Sequence, residues 1–378
     1  MWLLLWFILI LVVFSLWAAP EYWGAKVYPR IRVETEPVDT IVDIGDPVTF
    51  RCRFINPTRL PCPRIRLSWV LPEHLRSGSD TDTGQVDIDF YLMPRQSAEV
   101  TFTVYAARRG VAEWNEAYLQ FTDLLGLRKE YRTVYVHARM VIRPNRKKPI
   151  EVTKALTELI GEMRTRRYYS EDPSLFMGLR PYQAGDPLRG ISWLATARSG
   201  ELMVKQFGHT TASKVLILFN GQTVYPFWKT FYKHRIDVMC ERLIQIADKL
   251  IDNGTSVGLL TNLNDNIMRS CYEPAASGAY QSARLANRMG SITPYATSSM
   301  ADLIHSASDY AAQDDTILLL TSYWDAEGIR ALAGMSRRFK SVLVYNLNWG
   351  EQTGTLPGVP TFTEQLSEDE PGEKGEVS

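Results

Sequence analysis

The sequence has no excess of charge of either sign and few residues that form disulfides. Lysine plus arginine number 42, and aspartate plus glutamate also number 42, so the formal net charge is zero. A neutral chain has no general electrostatic attraction to nucleic acid, and we predict no nucleic-acid partner. The four cysteines, at positions 52, 62, 240 and 271, are too few and too scattered for a disulfide framework. Cys52 and Cys62 flank a predicted hairpin, and whether they pair stays open.

Short catalytic and metal-binding motifs are also missing. The five histidines are isolated, and neither H-E-x-x-H, C-x-x-C nor a G-x-x-x-x-G-K-[ST] phosphate loop occurs. Residues 254–258, GTSVG, fit the G-x-S-x-G pattern of a nucleophile elbow, which requires a strand before the serine and a helix after it. Here a predicted helix comes first, so Ser256 is predicted to begin a strand. We predict no cofactor.

One long apolar run stands at the start of the chain. Residues 2–19 are apolar apart from Ser15, and at about 1.5 Å per residue they span roughly 27 Å, close to the thickness of a hydrocarbon core. We predict a transmembrane helix over residues 1–20 that contacts the lipid bilayer through residues 2–19. A cleaved signal peptide is the alternative, but no basic side chain precedes the run, and residues 16–19 make a poor small-x-small cleavage site.

The residues after this run predict its orientation. Lys26, Arg30 and Arg32 follow the apolar segment, whereas no basic side chain precedes it. Because cytoplasmic flanks carry the excess of lysine and arginine, the soluble body is predicted to lie in the cytoplasm, as part of a single-pass protein of the cell membrane.

Residues 33–142 predict a β-sandwich of the immunoglobulin or fibronectin type. Segments such as PVTFRCRFINP and SAEVTFTVYAARRG alternate apolar and polar residues and are rich in β-branched and aromatic side chains. Residues 143–152, RPNRKKPIEV, form a basic linker, with a contact to anionic lipid as the alternative function. Residues 351–378 are acidic and poor in apolar side chains, which predicts a disordered tail.

Residues 211–350 alternate predicted strands and helices, which indicates a doubly wound α/β domain with a parallel sheet. KVLILFN is a continuous apolar run, as expected of a strand buried on both faces. The rim at the carboxyl ends of the strands is the usual binding surface of such folds, and it includes Asn220, Gln222, Thr261, Asn262 and Ser322. The candidate partner-binding residues are Tyr225, Phe227, Trp228, Thr261 and Asn262.

Within residues 153–210, the stretch GLRPYQAGDPLRGISWLATARSGELMVKQF is crowded with charge. Asp186 before Pro187 predicts a helix start, so a helix is expected from Leu188 to Ser199, ended by Gly200. Arg180, Arg189 and Arg198 suit an anion or partner site. They also suit ion pairs with Asp186, Glu201 or Glu241 that brace the helix against the neighbouring domain, and this second interpretation is favoured.

This stretch resembles the domain of unknown function 58 family. The matching residues are Tyr182, Gly185, Asp186, Arg189, Ile191, Trp193, residues 195–198 (ATAR) and residues 202–205 (LMVK), which include Arg198 and Lys205. The resemblance implies a bacterial protein with an N-terminal membrane segment, a β-rich domain and a C-terminal von Willebrand factor A-like domain. It also implies a MoxR-type AAA+ ATPase as partner, while the family has no settled biochemical activity.

Two departures from the family pattern bear on function. Relatives usually carry two N-terminal membrane segments, and this chain has one such run. A metal-binding von Willebrand A domain has a D-x-S-x-S motif after its first strand, where this chain has Asn220, Gln222 and Val224. Thr321, Ser322 and Asp325 in a later loop do not replace the missing ligands, so no tight magnesium site is expected.

These observations lead to one main functional hypothesis and two alternatives. The chain is expected to be a membrane-anchored, non-enzymatic scaffold or adaptor that binds a protein partner, the MoxR-type ATPase. An enzyme acting on an anionic substrate through Asp186, Arg189 and Arg198 is the first alternative. An exported surface-binding module is the second.

Overall fold

The computed structural model describes residues 2–36, 38–78, 84–123, 126, 128–146, 154–168, 171–184, 186, 188–209, 214–265, 272–350, 354 and 356–367. The chain divides into two compact units. Unit 1 comprises Met1–Asn145 with Met289–Ser291, and unit 2 comprises Arg146–Arg288 with Ile292–Ser378.

Unit 1 begins with helix α1, Trp2–Lys26, followed by a 3-10 turn at Tyr28–Arg30. Several large apolar side chains of this helix are exposed, namely Trp2, Trp6, Phe7, Ile8, Leu9, Ile10 and Phe14. No helix among the described residues is both long and apolar enough to cross a membrane. The transmembrane segment therefore stays a prediction.

The end of α1 is fixed to the β-structure that follows it. Val27, Tyr28 and Ile31 are buried in the same apolar core as the strands. The Tyr28 ring stacks on Phe121 with a centroid distance of 4.8 Å. Trp23 Nε1 donates a hydrogen bond of 2.9 Å to the carbonyl oxygen of Pro61. The helix is thus joined to the strands through side chains packed in the core.

The described strands of unit 1 form two sheets. The four-stranded sheet has the order β1-β3-β7-β5, and the five-stranded sheet has the order β2-β9-β8-β4-β6. The strands are β1 Arg32–Thr35, β2 Val38–Asp43, β3 Pro47–Ile55, β4 Cys62–Val70, β5 Leu75–Ser77, β6 Gln85–Leu92, β7 Ser97–Ala106, β8 Gly110–Thr122 and β9 Lys129–Arg143.

An aromatic cluster joins the two sheets face to face. Phe50 and Phe102 come from the four-stranded sheet, and Trp69 and Trp114 come from the five-stranded sheet. The Phe50 ring lies 5.3 Å from Trp69 and 5.1 Å from Trp114. Strand β3 alternates exposed and buried residues along its length, because successive side chains of a strand point to opposite faces. One face of each sheet therefore supplies the core of this β-sandwich.

Unit 2 opens with elements of the signature segment. These are helix α2 Lys154–Tyr168, strand β10 Glu171–Pro181, a 3-10 turn Leu188–Gly190, helix α3 Trp193–Ser199 and strand β11 Met203–His209. Strands β10 and β11 pair antiparallel as a two-stranded sheet. We call residues 176–207, which contain most of both strands and their connection, the signature hairpin.

A six-stranded sheet follows, in the order β15-β13-β12-β17-β18-β19. Its strands are β12 Lys214–Phe219, β13 Ser256–Thr261, β15 Tyr272–Ala276, β17 Thr316–Thr321, β18 Ser341–Asn348 and β19 Thr361–Gln365. The helices are α4 Lys233–Asp252, α5 Ala279–Ser291, α6 Met300–Ser306 and α7 Ala326–Arg338, and a two-stranded sheet pairs β14 Leu263–Asp265 with β16 Ile292–Ala296.

The central strands of this sheet are parallel and buried. Every residue of β12 after Lys214 is buried, because a parallel strand between helical layers has no solvent-facing side. The edge strand β15 runs antiparallel to β13, so the sheet is mixed where the sequence predicted a parallel one. Ser256 is the first residue of β13 and follows α4, which is not the setting of a nucleophile elbow.

The predicted disordered tail over residues 351–378 is wrong in part. Strand β19, Thr361–Gln365, pairs parallel with β18 and forms an edge of the sheet. Its acidic residue Glu364 is buried, 2.7 Å from Arg242, and accepts a hydrogen bond of 2.6 Å from the Tyr345 hydroxyl. The acidic composition of this segment therefore gave no sign of the strand, because the Glu364 carboxylate is buried and is paired with Arg242 and Tyr345. Residues 368–378 lie outside the described residues.

The cysteines of the sandwich are free thiols. Cys52 and Cys62 are both buried and unpaired as disulfides. Burial raises the pKa of Cys52 to about 11 and that of Cys62 to about 12. The thiolate, which is the reactive form, is therefore scarce at neutral pH.

We expect Cys52 and Cys62 to resist alkylation by iodoacetamide at pH 8 in the folded protein, because both are inaccessible and protonated. Peptide mapping by mass spectrometry measures the modification at each position. Both should become labelled in denaturant. Labelling of either cysteine before unfolding would contradict the buried thiol state.

Candidate functional site

The predicted helix from Leu188 to Ser199 is wrong at its start. Residues 188–190 form a 3-10 turn, Ile191 makes an isolated bridge to Val204, and α3 begins only at Trp193. Ile191 and Val204 are both buried, so this contact holds the backbone extended before the helix. The end of the helix is as predicted, because Gly200 adopts a φ of +75° that a residue with a Cβ rarely takes.

Asp186 organises the turn before α3 and does not cap it. Arg180 donates two hydrogen bonds of 2.7 Å to its carboxylate, in the bidentate geometry that suits a guanidinium. The amide of Gln183 donates a third, at 2.9 Å. These bonds lower the pKa of Asp186 to about 2, with the Arg180 hydrogen bond as the largest cause. The carboxylate is therefore ionised at neutral pH and is a poor proton donor.

The other two arginines of the cluster differ from Arg180 in their surroundings. Arg189 and Arg198 are exposed, and among the described residues neither forms an ion pair. Within the described ranges, the expected pairing of the three arginines is seen for Arg180, whose partner Asp186 lies six residues away in the same hairpin. The Asp186, Arg189 and Arg198 cluster of the enzyme hypothesis is not assembled by ion pairs.

Apolar side chains are exposed beside these arginines. Leu188, Trp193 and Leu194 are 71%, 68% and 69% exposed. Leu194 and Arg198 are four residues apart on α3 and share a face of the helix. We call Leu188, Arg189, Trp193, Leu194 and Arg198 the signature surface.

The remaining signature residues have mainly local roles. Tyr182 is half-buried, and its amide donates a 2.8 Å hydrogen bond to the Leu202 carbonyl oxygen. Lys205 is exposed on β11, opposite Leu179 of β10. Gly185 lies outside the described residues. Further exposed apolar residues of the hairpin, which the sequence analysis did not single out, are Phe176, Met177, Leu179 and Leu202.

At the rim of the six-stranded sheet, neutral polar side chains form hydrogen bonds with one another. We call this set the rim network; it comprises Asn220, Gln222, Thr261, Asn262 and Thr321. Asn220 Nδ2 donates to Thr321 Oγ1 at 2.9 Å, and Asn220 Oδ1 accepts from Asn262 Nδ2 at 3.0 Å and from the Gln222 amide at 3.1 Å. These bonds link the carboxyl ends of β13, β12 and β17, which are neighbours in the sheet.

Burial corrects the role expected for two rim residues. Thr261 and Asn262 were predicted to contact a partner, but both are buried. Thr261 Oγ1 donates to the Phe219 carbonyl oxygen at 2.9 Å, and Asn262 Oδ1 accepts from the Gly221 amide at 2.8 Å. Their polar groups hold the strand ends together and are not presented to a partner.

The same bonds explain why the rim does not suit a divalent cation. Asn220 Oδ1 already accepts two hydrogen bonds, Gln222 binds the Val224 carbonyl oxygen and the Met300 amide, and Asp325 Oδ1 caps α7 by accepting from Gly328. Ser322 is buried. Magnesium and calcium prefer charged oxygen ligands. Within the described part of the chain, no group of three or more His, Cys, Asp and Glu residues is placed to hold a metal.

The aromatic loop of Tyr225, Phe227 and Trp228 follows the first strand of this sheet. Tyr225 and Trp228 are 75% and 73% exposed, whereas Phe227 is half-buried and meets Trp228 edge-on at 4.9 Å. The loop therefore presents two aromatic side chains to solvent, whereas the side chains of the rim network are bound to one another.

The described fold defines a mixed α/β protein of two compact units, one a β-sandwich and the other built around a six-stranded sheet with a closed rim. Residues 178–347 match the family described as protein of unknown function DUF58. The match begins in the signature hairpin and ends in β18, and it supports this family for that part of the chain. A comparison with curated proteins gives no match.

Similar solved structures share only a small part of the chain. Trypsin-activated alpha-2-macroglobulin from Escherichia coli is 17% identical with a TM-score of 0.22, over 29% of this chain and 7% of its own. A beta-glucosidase from Listeria innocua is 9% identical with a TM-score of 0.18, over 29% of this chain and 16% of its own. The chain thus spans a small fraction of these proteins, and similarity at this level carries no argument.

Replacing Arg180 with Met should raise the pKa of Asp186 from about 2 towards its ordinary value of 3.8, because the two guanidinium hydrogen bonds are lost. The stabilisation from the depressed pKa is complete above the unfolded value of 3.8 and is lost as the pH falls through about 2. Carboxyl-carbon NMR of labelled aspartate measures the titration. Arg189→Met is the matched control, and an equal shift in that variant would contradict the local pairing.

Asn220→Asp should destabilise unit 2 by about 1–3 kcal/mol, because it removes the donor to Thr321 and places a carboxylate in a buried neutral network. Denaturant unfolding at pH 7 measures the loss. Asn264→Asp makes the same chemical change at an exposed position of β14 and is the control. Equal stability of the two variants would show that the rim network is not the stabilising element described above.

Proposed function

We propose that this protein is a membrane-anchored, non-enzymatic scaffold or adaptor that binds a protein partner through the signature surface. The observation that carries the proposal is the exposure of Leu188, Trp193 and Leu194 beside the exposed Arg189 and Arg198. Contiguous apolar side chains that remain exposed on a folded protein mark interaction sites more often than scattered ones do.

The composition of this surface suits a protein partner. Tryptophan and arginine are over-represented among interface residues that contribute most of the binding energy. Trp193 offers a large apolar area at low entropic cost, and the flanking guanidinium groups suit carboxylates on the partner. The Tyr225 and Trp228 side chains of the aromatic loop form a second exposed set on the same unit.

The class of partner comes from the family. By resemblance, a MoxR-type AAA+ ATPase is the proposed partner. Because the side chains of the rim network are bound to one another, the partner would contact the signature surface and the aromatic loop instead.

Anchoring is the second part of the proposal. Helix α1 exposes tryptophan, phenylalanine, leucine and isoleucine side chains, which a bilayer would cover favourably. Lys26, Arg30 and Arg32 follow the helix and support a cytoplasmic position of the soluble body.

The enzyme alternative gains no support from the site. Asp186 is occupied by Arg180 and by the Gln183 amide, and its low pKa makes it a weak base at neutral pH as well as a poor acid.

The Trp193→Ala/Leu194→Ala double variant should bind the purified ATPase at least about tenfold more weakly, while its melting temperature stays close to that of the wild type. The full-length protein in detergent micelles, with affinity measured by biolayer interferometry, tests this. Tyr135→Ala removes an aromatic side chain on β9 that is 74% exposed, and it is the control.

Three results would contradict parts of the proposal. If the wild type does not bind the ATPase, the proposed identity of the partner is wrong. Loss of binding in Tyr225→Ala/Trp228→Ala but not in the signature variant would move the contact to the aromatic loop. Equal loss in Tyr135→Ala would show that the effect is nonspecific.

A further inference from the structure

A cleft in unit 1 lies directly after helix α1. It has a volume of about 680 Å³, and its lining includes Arg30, Arg32, Glu34, Thr58 and Arg132. Three cationic side chains and one carboxylate face the same space, so the cleft carries an excess of positive charge although the chain as a whole is neutral.

The three arginines come from separate structural elements. Arg30 ends the 3-10 turn, Arg32 begins β1, and Arg132 lies on β9 of the other sheet. Arg132 Nη1 donates a 2.6 Å hydrogen bond to the Ile31 carbonyl oxygen, between the other two arginines in sequence. This bond fixes the Arg132 guanidinium beside the turn and leaves other N–H groups of the fork for a ligand.

Among the described residues that line the cleft, Glu34 is the one carboxylate against three arginines, so it offsets only part of their charge. Arg30 and Arg32 are exposed and Arg132 is half-buried. Over the part of the chain that the structure describes, none of the three forms an ion pair, although many arginines on the same unit do, such as Arg66 with Asp89 and Arg143 with Asp43. Three like charges beside a single carboxylate leave a net repulsion, and an anion bound among the arginines would relieve it.

We infer that this arginine cleft binds a phosphate-bearing anion through Arg30, Arg32 and Arg132. A phosphate group accepts hydrogen bonds from several guanidinium groups at once, and arginine is the side chain best matched to it in geometry. A free phosphate and a lipid headgroup offer the same chemistry. The inference rests on the arginines alone, whereas the lipid source also rests on the anchoring role proposed for α1.

The position of the cleft favours the lipid source. Val27 and Tyr28 are buried in the sandwich core, so the cleft is held at a fixed place relative to the end of α1. For an α1 that is inserted in a bilayer, the residues immediately after Lys26 lie at the level of the headgroups. Phosphates are concentrated at that depth.

The test uses the full-length protein in a neutral detergent, with two probes. Native mass spectrometry counts retained phosphatidylglycerol against phosphatidylcholine, and isothermal titration calorimetry measures binding of inorganic phosphate. In the Arg30→Ala/Arg32→Ala variant, binding of the preferred probe should weaken at least about tenfold. Both side chains are exposed, so the fold should be unaffected.

Arg51→Ala is the matched control, because Arg51 is an exposed arginine of β3 outside the lining of the cleft. Its binding should stay within about twofold of the wild type. Selective retention of phosphatidylglycerol that is lost in the cleft variant supports a headgroup site, and binding of inorganic phosphate alone supports a site for a soluble anion. Binding of neither probe, or equal weakening in Arg51→Ala, would overturn the inference. Neither of these two results depends on whether the ATPase binds.

Discussion

The hydrogen bonds of Asn220 are the constraint on which the rest of unit 2 depends. Through one amide group, Asn220 binds the residue at the end of β17 and the residue after β13, and its backbone belongs to the turn after β12. Three neighbouring parallel strands therefore end in one buried, neutral network. A carboxylate at this position would need a counter-charge, and the amide does not. Because the side chains of this network bind one another, the rim offers few free polar groups, and the surfaces proposed to bind a partner lie on the aromatic loop and the signature hairpin.

The elements that could be predicted from sequence are those whose pattern depends on burial alone. Strand β12 is a continuous apolar run, which indicates a strand buried on both faces, and helix α4 has apolar residues at helical spacing, which indicates one buried face. Strand β19 could not be predicted in this way. Its buried Glu364 carboxylate is paired with Arg242, which lies far away in the sequence. Helix α3 starts later than its apparent Asp-Pro signal for a similar reason. The bridge between Ile191 and Val204 keeps the chain extended before Trp193, and no local sequence pattern predicts that bridge.

The three arginines of the signature hairpin show how far residue type determines function. Arg180 is bound to a carboxylate and shapes a turn, whereas Arg189 and Arg198, of the same residue type, point into solvent without an ion pair among the described residues. Sequence reasoning treated the three as one set because their chemistry is identical. Whether a carboxylate lies within hydrogen-bonding distance of each guanidinium depends on where the backbone places that arginine. The exposed apolar residues of the signature surface were missed for the same reason, since Leu194 and Trp193 would read equally well as core positions of a longer helix.

The packing of the C-terminal end of α1 into the sandwich core limits how the helix and the sandwich can move. A helix that leaves a domain through a flexible linker lets that domain tumble, so tension or tilt at one end is lost in the linker. Here the chain passes from Trp23 through Tyr28 into the core without such a linker, and Tyr28 stacks on Phe121. The helix and the sandwich must therefore rotate as one body. A surface that binds the helix then also determines which side of the sandwich faces that surface.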